Sequence, residues 1–210
     1  MICLFDNDVI LKLAMANLLD DTIEVLQTSP KDIYVLPTAK YKFGFSDASK
    51  GETRYGADVY KRIMEFLTSV NELNITGDLA EINVLNEIDG IDPGEAILFS
   101  ATSQFKDYVL ATGDKTSLRS LASMPECQHI AERIQGHVIC FELIIKLLIK
   151  QNGFAYVKSA IMLVRNHDTT CRAVFGSGEN TTEKNVLEGL DSYINELRSL
   201  PINLLRHENI

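Results

Sequence analysis

The stretch "ICLFDNDVILKLA", Ile2–Ala14, decides how the rest of the chain is read. Ile2–Phe5 is apolar at every position, which suits a strand buried on both faces in the middle of a parallel sheet. The run stops at Asp6, Asn7 and Asp8, after which Val9, Ile10, Leu13, Ala14 and Leu18 recur at helical spacing. This predicts a buried strand, a sharp exit and a helix whose first turn is capped by Asn7 or Asp8. Two carboxylates at the exit of a buried strand then need a reason beyond solubility.

Further strands are expected at "IYVL" (Ile33–Leu36), "YVLAT" (Tyr108–Thr112) and "HVICF" (His137–Phe141), each bounded by turn formers or charges. Helical patterns lie between them. One runs over about Tyr55–Glu72, with Val59, Ile63, Phe66, Leu67 and Val70 at helical spacing. Another is opened by "DPGE", where Asp92 suits the N-cap and Pro93 the first helical position. The alternation predicts an α/β fold with a central, mostly parallel sheet and helices on both faces.

After "HVICF" the alternation stops, and residues 146–210 read as a helical C-terminal extension to a core of residues 1–145. In Thr181–Leu200 a narrow stripe of Leu187, Leu190, Ile194 and Leu197 suits packing on the core, or contact with a partner or a second copy. "FGSGENTT", Phe175–Thr182, reads as a linker or mobile loop.

The formal charge of −9 over 210 residues argues against a nucleic-acid binder that relies on a broad basic surface. It leaves room for a metal-dependent enzyme, because carboxylates that hold cations add to the negative count. Cys3, Cys127, Cys140 and Cys171 lie far apart with no CxxC pair, so neither a structural zinc site nor a disulfide framework is expected. The most apolar run, Val138–Lys150, is interrupted by Glu142 and Lys146 and falls short of the ~20 residues of a membrane span. With no signal peptide at the N-terminus, the expectation is a cytoplasmic protein that avoids membranes.

Ligands of a doubly wound sheet bind outside the carboxyl ends of its strands. Asp6 ends the first strand, Asp114 follows "YVLAT", and Glu95 sits in the first turn of the helix opened by Asp92, so the three should converge at that edge. Asp8 is a fourth possibility. Gathered carboxylates repel unless hard cations lie among them, and Mg²⁺ or Mn²⁺ prefers such oxygen ligands. Each acid also has a plainer reading: Asp6 and Asp8 as helix caps, Glu95 as partner of a positive helix N-terminus, Asp114 as part of a Gly-Asp turn.

With these residues in view, the chain resembles the PIN-domain family of nucleases. "ICLFDNDVILKLA" is similar to that family's opening strand, Asp-x-Asn/Asp step and apolar helix. "GEAILFSAT" (Gly94–Thr102) and "YVLATGDKTSLRSLA" (Tyr108–Ala122) look like its Gly-Glu-Ala helix and Thr-x-Asp turn, and "HVICFELI" (His137–Ile144) like its last strand and helix. The resemblance implies a Rossmann-like three-layer sandwich and divalent-metal-dependent endoribonuclease activity, as in the toxin of a toxin/antitoxin pair with an antitoxin as partner. It assigns Asp6, Glu95 and Asp114 as catalytic metal-binding acids, with Asp8 in support. The family's Glu after the second strand has no counterpart, since "VLPTAKYKF" (Val35–Phe43) supplies Lys40 and Lys42 instead; Asp47 or Glu52 is a substitute from the following loop. Lys40, Lys42, Lys50 and Arg54 cluster there and, with Lys115 and Arg119 beside Asp114, suit phosphate contacts.

Two other readings compete. The missing acid and the acidic net charge suit a catalytically weakened PIN-like module that binds RNA or protein. "CLFDNDV" also resembles the Asp-x-Asp motif of haloacid dehalogenase-like phosphohydrolases, in which Asp6 would be a nucleophile, although Val9-Ile10 replaces the Gly-Thr common there.

Overall fold

A computed structural model describes residues 1–74 and 78–207. Five strands, β1 (Ile2–Phe5), β2 (Ile33–Val35), β3 (Asn71–Glu72), β4 (Tyr108–Thr112) and β5 (Val138–Cys140), form one sheet in the order β3-β2-β1-β4-β5. Every pairing in it is parallel. Thirteen α-helices among the described residues flank the sheet, giving an α/β, Rossmann-like three-layer sandwich. The register pairs Phe5 with Val35 on one side and with Ala111 on the other, so the strand exits lie at one level. Because β1 leads outward to β2 and the chain later returns to β4 on the opposite flank, the strand order reverses between β1 and β4. That is where an open α/β sheet leaves its crevice.

The first helices, α1 (Asn7–Ala16) and α2 (Leu19–Val25), lead to β2; α3 (Ala39–Lys42), α4 (Ala48–Tyr55) and α5 (Ala57–Ser69) lead to β3. The return to β4 runs through α6 (Leu79–Asn86) and α7 (Pro93–Ala101), and α8 (Lys115–Ser123) and α9 (Gln128–Ile134) lead to β5. Beyond β5 come α10 (Phe141–Asn152), α11 (Phe154–Ile161), α12 (Thr169–Val174) and α13 (Glu183–Arg198).

Three local expectations change. Asp6, not Asn7 or Asp8, occupies the N-cap position of α1, so the helix starts directly after the strand. The helix expected over Tyr55–Glu72 is broken by Gly56, whose φ of +82° a side chain would resist, and gives way after Ser69 to the two-residue strand β3. Phe175–Thr182 is anchored at both ends, since Phe175 and Thr181 are buried and a 3₁₀ turn fills the middle.

The helices after β5 share the sheet's apolar core. Leu143, Ile144 and Leu148 of α10 and Val186, Leu190, Ile194 and Leu197 of α13 belong to the same buried cluster as β1 and β4. Leu187 of the expected stripe is only half-buried, and Val186 takes its place. Past α13 the chain comes back to the sheet at β5: the Val138 amide donates to the Leu204 carbonyl (2.9 Å) and the Arg206 amide to the Val138 carbonyl (2.7 Å). Residues 208–210 of the expected extension lie outside the described residues. Among the described residues no helix is long and apolar enough to cross a membrane. All four cysteines are free and buried.

Candidate functional site

A cleft of about 670 Å³ opens at the carboxyl ends of β1, β4 and β5. Asp6, Asp8, Glu95 and Asp114 all line it, as do Lys42, Lys115 and Arg119. Each acid arrives there for a local reason.

Asp6 follows Phe5 directly, its amide donating to the Ala111 carbonyl (2.9 Å) and so extending the sheet's ladder by one step. Its side chain makes no capping hydrogen bond, although its residue holds the N-cap position. The carboxyl is 8% exposed; burial and then the neighbouring Asp8 push its pKa up to about 6, with Lys42 pulling the other way. The Asn7 and Asp8 amides also favour the charged carboxyl, but burial outweighs them.

Glu95 and Asp114 do have capping roles. Asp92 accepts from the Glu95 amide (2.8 Å) while Glu95 Oε2 accepts from the Asp92 amide (2.9 Å), a reciprocal capping box for α7. Asp114 Oδ1 accepts from the Thr116 and Ser117 amides (2.7 and 3.0 Å) at the start of α8. Both helices begin at the carboxyl edge, so a carboxylate that caps either one also faces the cleft. Burial, opposed by the Asp92 amide and reinforced by Asp114, pushes Glu95 up to about 8. Near neutrality, in the absence of a cation, Glu95 therefore holds a proton.

The remaining expected residues are placed differently. Asp47 caps α4 and Glu52 is exposed on it, and neither lines the cleft. Lys40 turns away to pair with Glu72 (2.7 Å). Lys115 lines the cleft, but its ammonium is held by Glu142 (2.7 Å) and Thr170 (2.6 Å) above the Tyr193 ring. It supplies fixed positive charge rather than a mobile arm for phosphate.

Three further groups went unread in the sequence. Lys12, one turn after Asp8 on α1, is 9% exposed and bridges Asp8 and Asp168 at 2.6 Å each. Burial alone would lower its pKa, but the two carboxylates raise it. Asp168 also caps α12 through the Cys171 amide (2.7 Å). Glu142, two residues past β5, is 2% exposed, and its Oε2 has no hydrogen-bond partner. The rule that identified Asp6 and Asp114, an acid at the exit of a buried strand, also picks out Glu142. A lysine in the apolar run "VILKLA" was the signal for Lys12. Nothing in the sequence pointed from Asp168 to a cleft whose other acids lie between 26 and more than 150 residues earlier.

The donors are all hard oxygens, the type that Mg²⁺ or Mn²⁺ takes. Among the described residues no three His, Cys, Asp or Glu side chains are drawn together closely enough to hold one ion. Asp8 is engaged by Lys12, which leaves Asp6, Glu95 and Asp114 as cleft acids with no salt bridge to a lysine or arginine among the described residues. No family model, no curated protein and no solved structure matches this chain.

Proposed function

We propose that this protein is a divalent-metal-dependent endoribonuclease whose cleft hydrolyses RNA phosphodiester bonds. The observation that supports the reading is that Asp6, Glu95 and Asp114, from three separate chain segments, line one cleft beside the β1/β4 reversal. The similarity of their sequence neighbourhoods to the PIN family supports the same conclusion. Asp6, Glu95 and Asp114 would hold Mg²⁺ or Mn²⁺, which supplies a water acidic enough to attack phosphorus near neutral pH and charge to offset the leaving oxygen.

The chain's own residues do the rest. Lys42, at the cleft margin, offers an exposed ammonium to a backbone phosphate. Lys115, fixed by Glu142 and Thr170, offsets negative charge inside the cleft without leaving its place. Burial pushes the Glu95 carboxyl up to about 8, so a cation held there would compete with a proton and its binding should release protons near neutral pH.

The test is incubation with single-stranded and structured RNAs in Mn²⁺ or Mg²⁺, with EDTA controls and Asp6→Asn and Asp114→Asn variants. Asparagine keeps the Asp114 cap, so lost cleavage there reports the carboxylate rather than the helix. Metal-dependent cleavage abolished in both variants is the expected result, and intact RNA throughout refutes the proposal. One observation favours a binding module instead: Lys12 and Lys115 already neutralise Asp8, Asp168 and Glu142. RNA retained by the protein but never cut would select that reading.

A further inference from the structure

The segment between β2 and α5 is net basic although the chain as a whole is acidic. Lys40, Lys42, Lys50 and Arg54 stand there against Asp47 and Glu52. It also carries two of the most exposed large apolar side chains among the described residues, Tyr41 at 84% and Phe45 at 48%. Tyr41, Lys42, Lys50, Arg54 and Tyr55 line a groove of about 390 Å³. Lys42 lines both this groove and the acidic cleft, so the two adjoin at that side chain.

The groove is held in shape from beneath. Phe43, 1% exposed, anchors the segment and meets the Tyr55 ring at 5.8 Å between centroids. The Tyr60 hydroxyl donates to the Gly44 carbonyl (3.2 Å), and Gly51 leaves room for the Tyr60 ring, which a Cβ there would strike. At 84% exposure the Tyr41 ring is open to solvent and free to meet a ligand. Beside cations, on a firm base, it is a face on which an unpaired nucleobase can stack, since every base presents a π surface. A duplex keeps its bases inside and offers Tyr41 no such face.

We propose that residues 40–55 form a landing surface for single-stranded RNA, where an unpaired base stacks on Tyr41 while Lys42, Lys50 and Arg54 take the flanking phosphates. Asp47 holds Lys50 at 3.1 Å, so Lys42 and Arg54 carry most of the phosphate contact. The inference deepens the nuclease reading and rests on it for one point only, that the strand continues past Lys42 into the cleft.

Fluorescence anisotropy in EDTA, with a labelled twelve-nucleotide oligouridine and a twelve-base-pair RNA duplex, separates binding from cleavage. The oligonucleotide should bind more tightly than the duplex, and Tyr41→Ala should weaken the oligonucleotide about tenfold, within the ~1–3 kcal/mol typical of base stacking, and spare the duplex. Tyr41→Phe should restore binding. Neutralising Lys42, Lys50 and Arg54 together should reduce the slope of log affinity against log salt by about 2. Tyr41 is so exposed that its removal leaves the fold intact, which a thermal melt checks. Oligouridine binding unchanged by Tyr41→Ala, or no binding at all, overturns the inference. So does a groove that takes polyglutamate in place of RNA, which would mark it as a surface for an acidic protein. Mn²⁺-dependent cleavage with Tyr41-independent binding would sink the landing surface and spare the nuclease. Tyr41-dependent binding without cleavage would do the reverse.

Discussion

Replacing Lys12 with Met removes one charge from a buried triad and keeps the length and apolar stem of the side chain. Lys12 sits 2.6 Å from both Asp8 and Asp168, and its ammonium lies 5.1 Å from the Phe141 ring centroid. The side chain of Asp8 is 45% exposed and can turn to water, but that of Asp168 is 11% exposed and cannot. Breaking a buried pair by removing one partner costs about 3–5 kcal/mol, chiefly through the charge left behind. Asp168 keeps its Cys171 amide donor, so the lower end, about 3 kcal/mol, is expected. Lys12→Met/Asp168→Asn, which removes both charges and keeps the cap acceptor, should lose only about 1 kcal/mol, less than Lys12→Met alone.

Urea unfolding followed by circular dichroism at pH 7 measures all four corners of this cycle. Burial opposes both shifts, yet Asp168 is held below its ordinary 3.8 and Lys12 above its ordinary 10.5. The pair's contribution is therefore complete between those ordinary values. It fades as pH falls through the depressed Asp168 value or rises through the elevated Lys12 value. The gap between wild type and Lys12→Met should accordingly narrow under acid. A Lys12→Met variant within about 0.5 kcal/mol of wild type, or a double variant whose loss equals the sum of the singles, would refute the triad's role.

Three other outcomes follow from the site. Glu95, raised from 4.5 to about 8, binds more protons folded than unfolded between those values, so the metal-free protein should lose stability as pH rises across that window. Glu95→Gln, which retains an acceptor for the Asp92 amide, should flatten much of that decline in thermal or urea melts with EDTA; an unchanged slope would contradict the assigned burial. A Cβ at Gly113 would meet Asp8 Oδ2 at 2.7 Å and Lys12 Nζ at 3.2 Å, but Asp8 can swing outward, so Gly113→Ala should cost only about 1 kcal/mol by urea melt, and a loss matching that of Lys12→Met would show that the turn itself had failed. Leu190→Ala, at the fully buried centre of the α13 stripe, should cost about 3 kcal/mol by the same melts, whereas a loss below about 1 kcal/mol would mean that α13 does not share the core.

The readable parts of the fold were those where burial leaves a pattern. Ile2–Phe5 and Tyr108–Thr112 are central strands covered on both faces, so an unbroken apolar run identifies them. β3 has only Asn71 and Glu72, both exposed, and its membership in the sheet comes from pairing with Tyr34 and Val35 rather than from its own side chains. Asp92 and Pro93 marked the start of α7 because capping chemistry is local. The cleft's other wall was hidden for the opposite reason: Asp168 and Tyr193 reach it only through the packing of α12 and α13, which no spacing in the sequence encodes.

The return of residues 203–206 to β5 bears on how the protein behaves in company. A parallel sheet ends in strands with unpaired amides and carbonyls, a template onto which another chain's strand can add. Val138 has both backbone groups taken by Leu204 and Arg206, and the Gly136 amide donates to Asn203 (3.2 Å), so the β5 border is closed from within the same chain. The opposite border, at β3, is two residues long and ends in Glu72, too short and too charged to recruit a neighbour. Strand-by-strand growth is thus hindered at both ends among the described residues, by a chain segment over Val138 on one side and by brevity on the other.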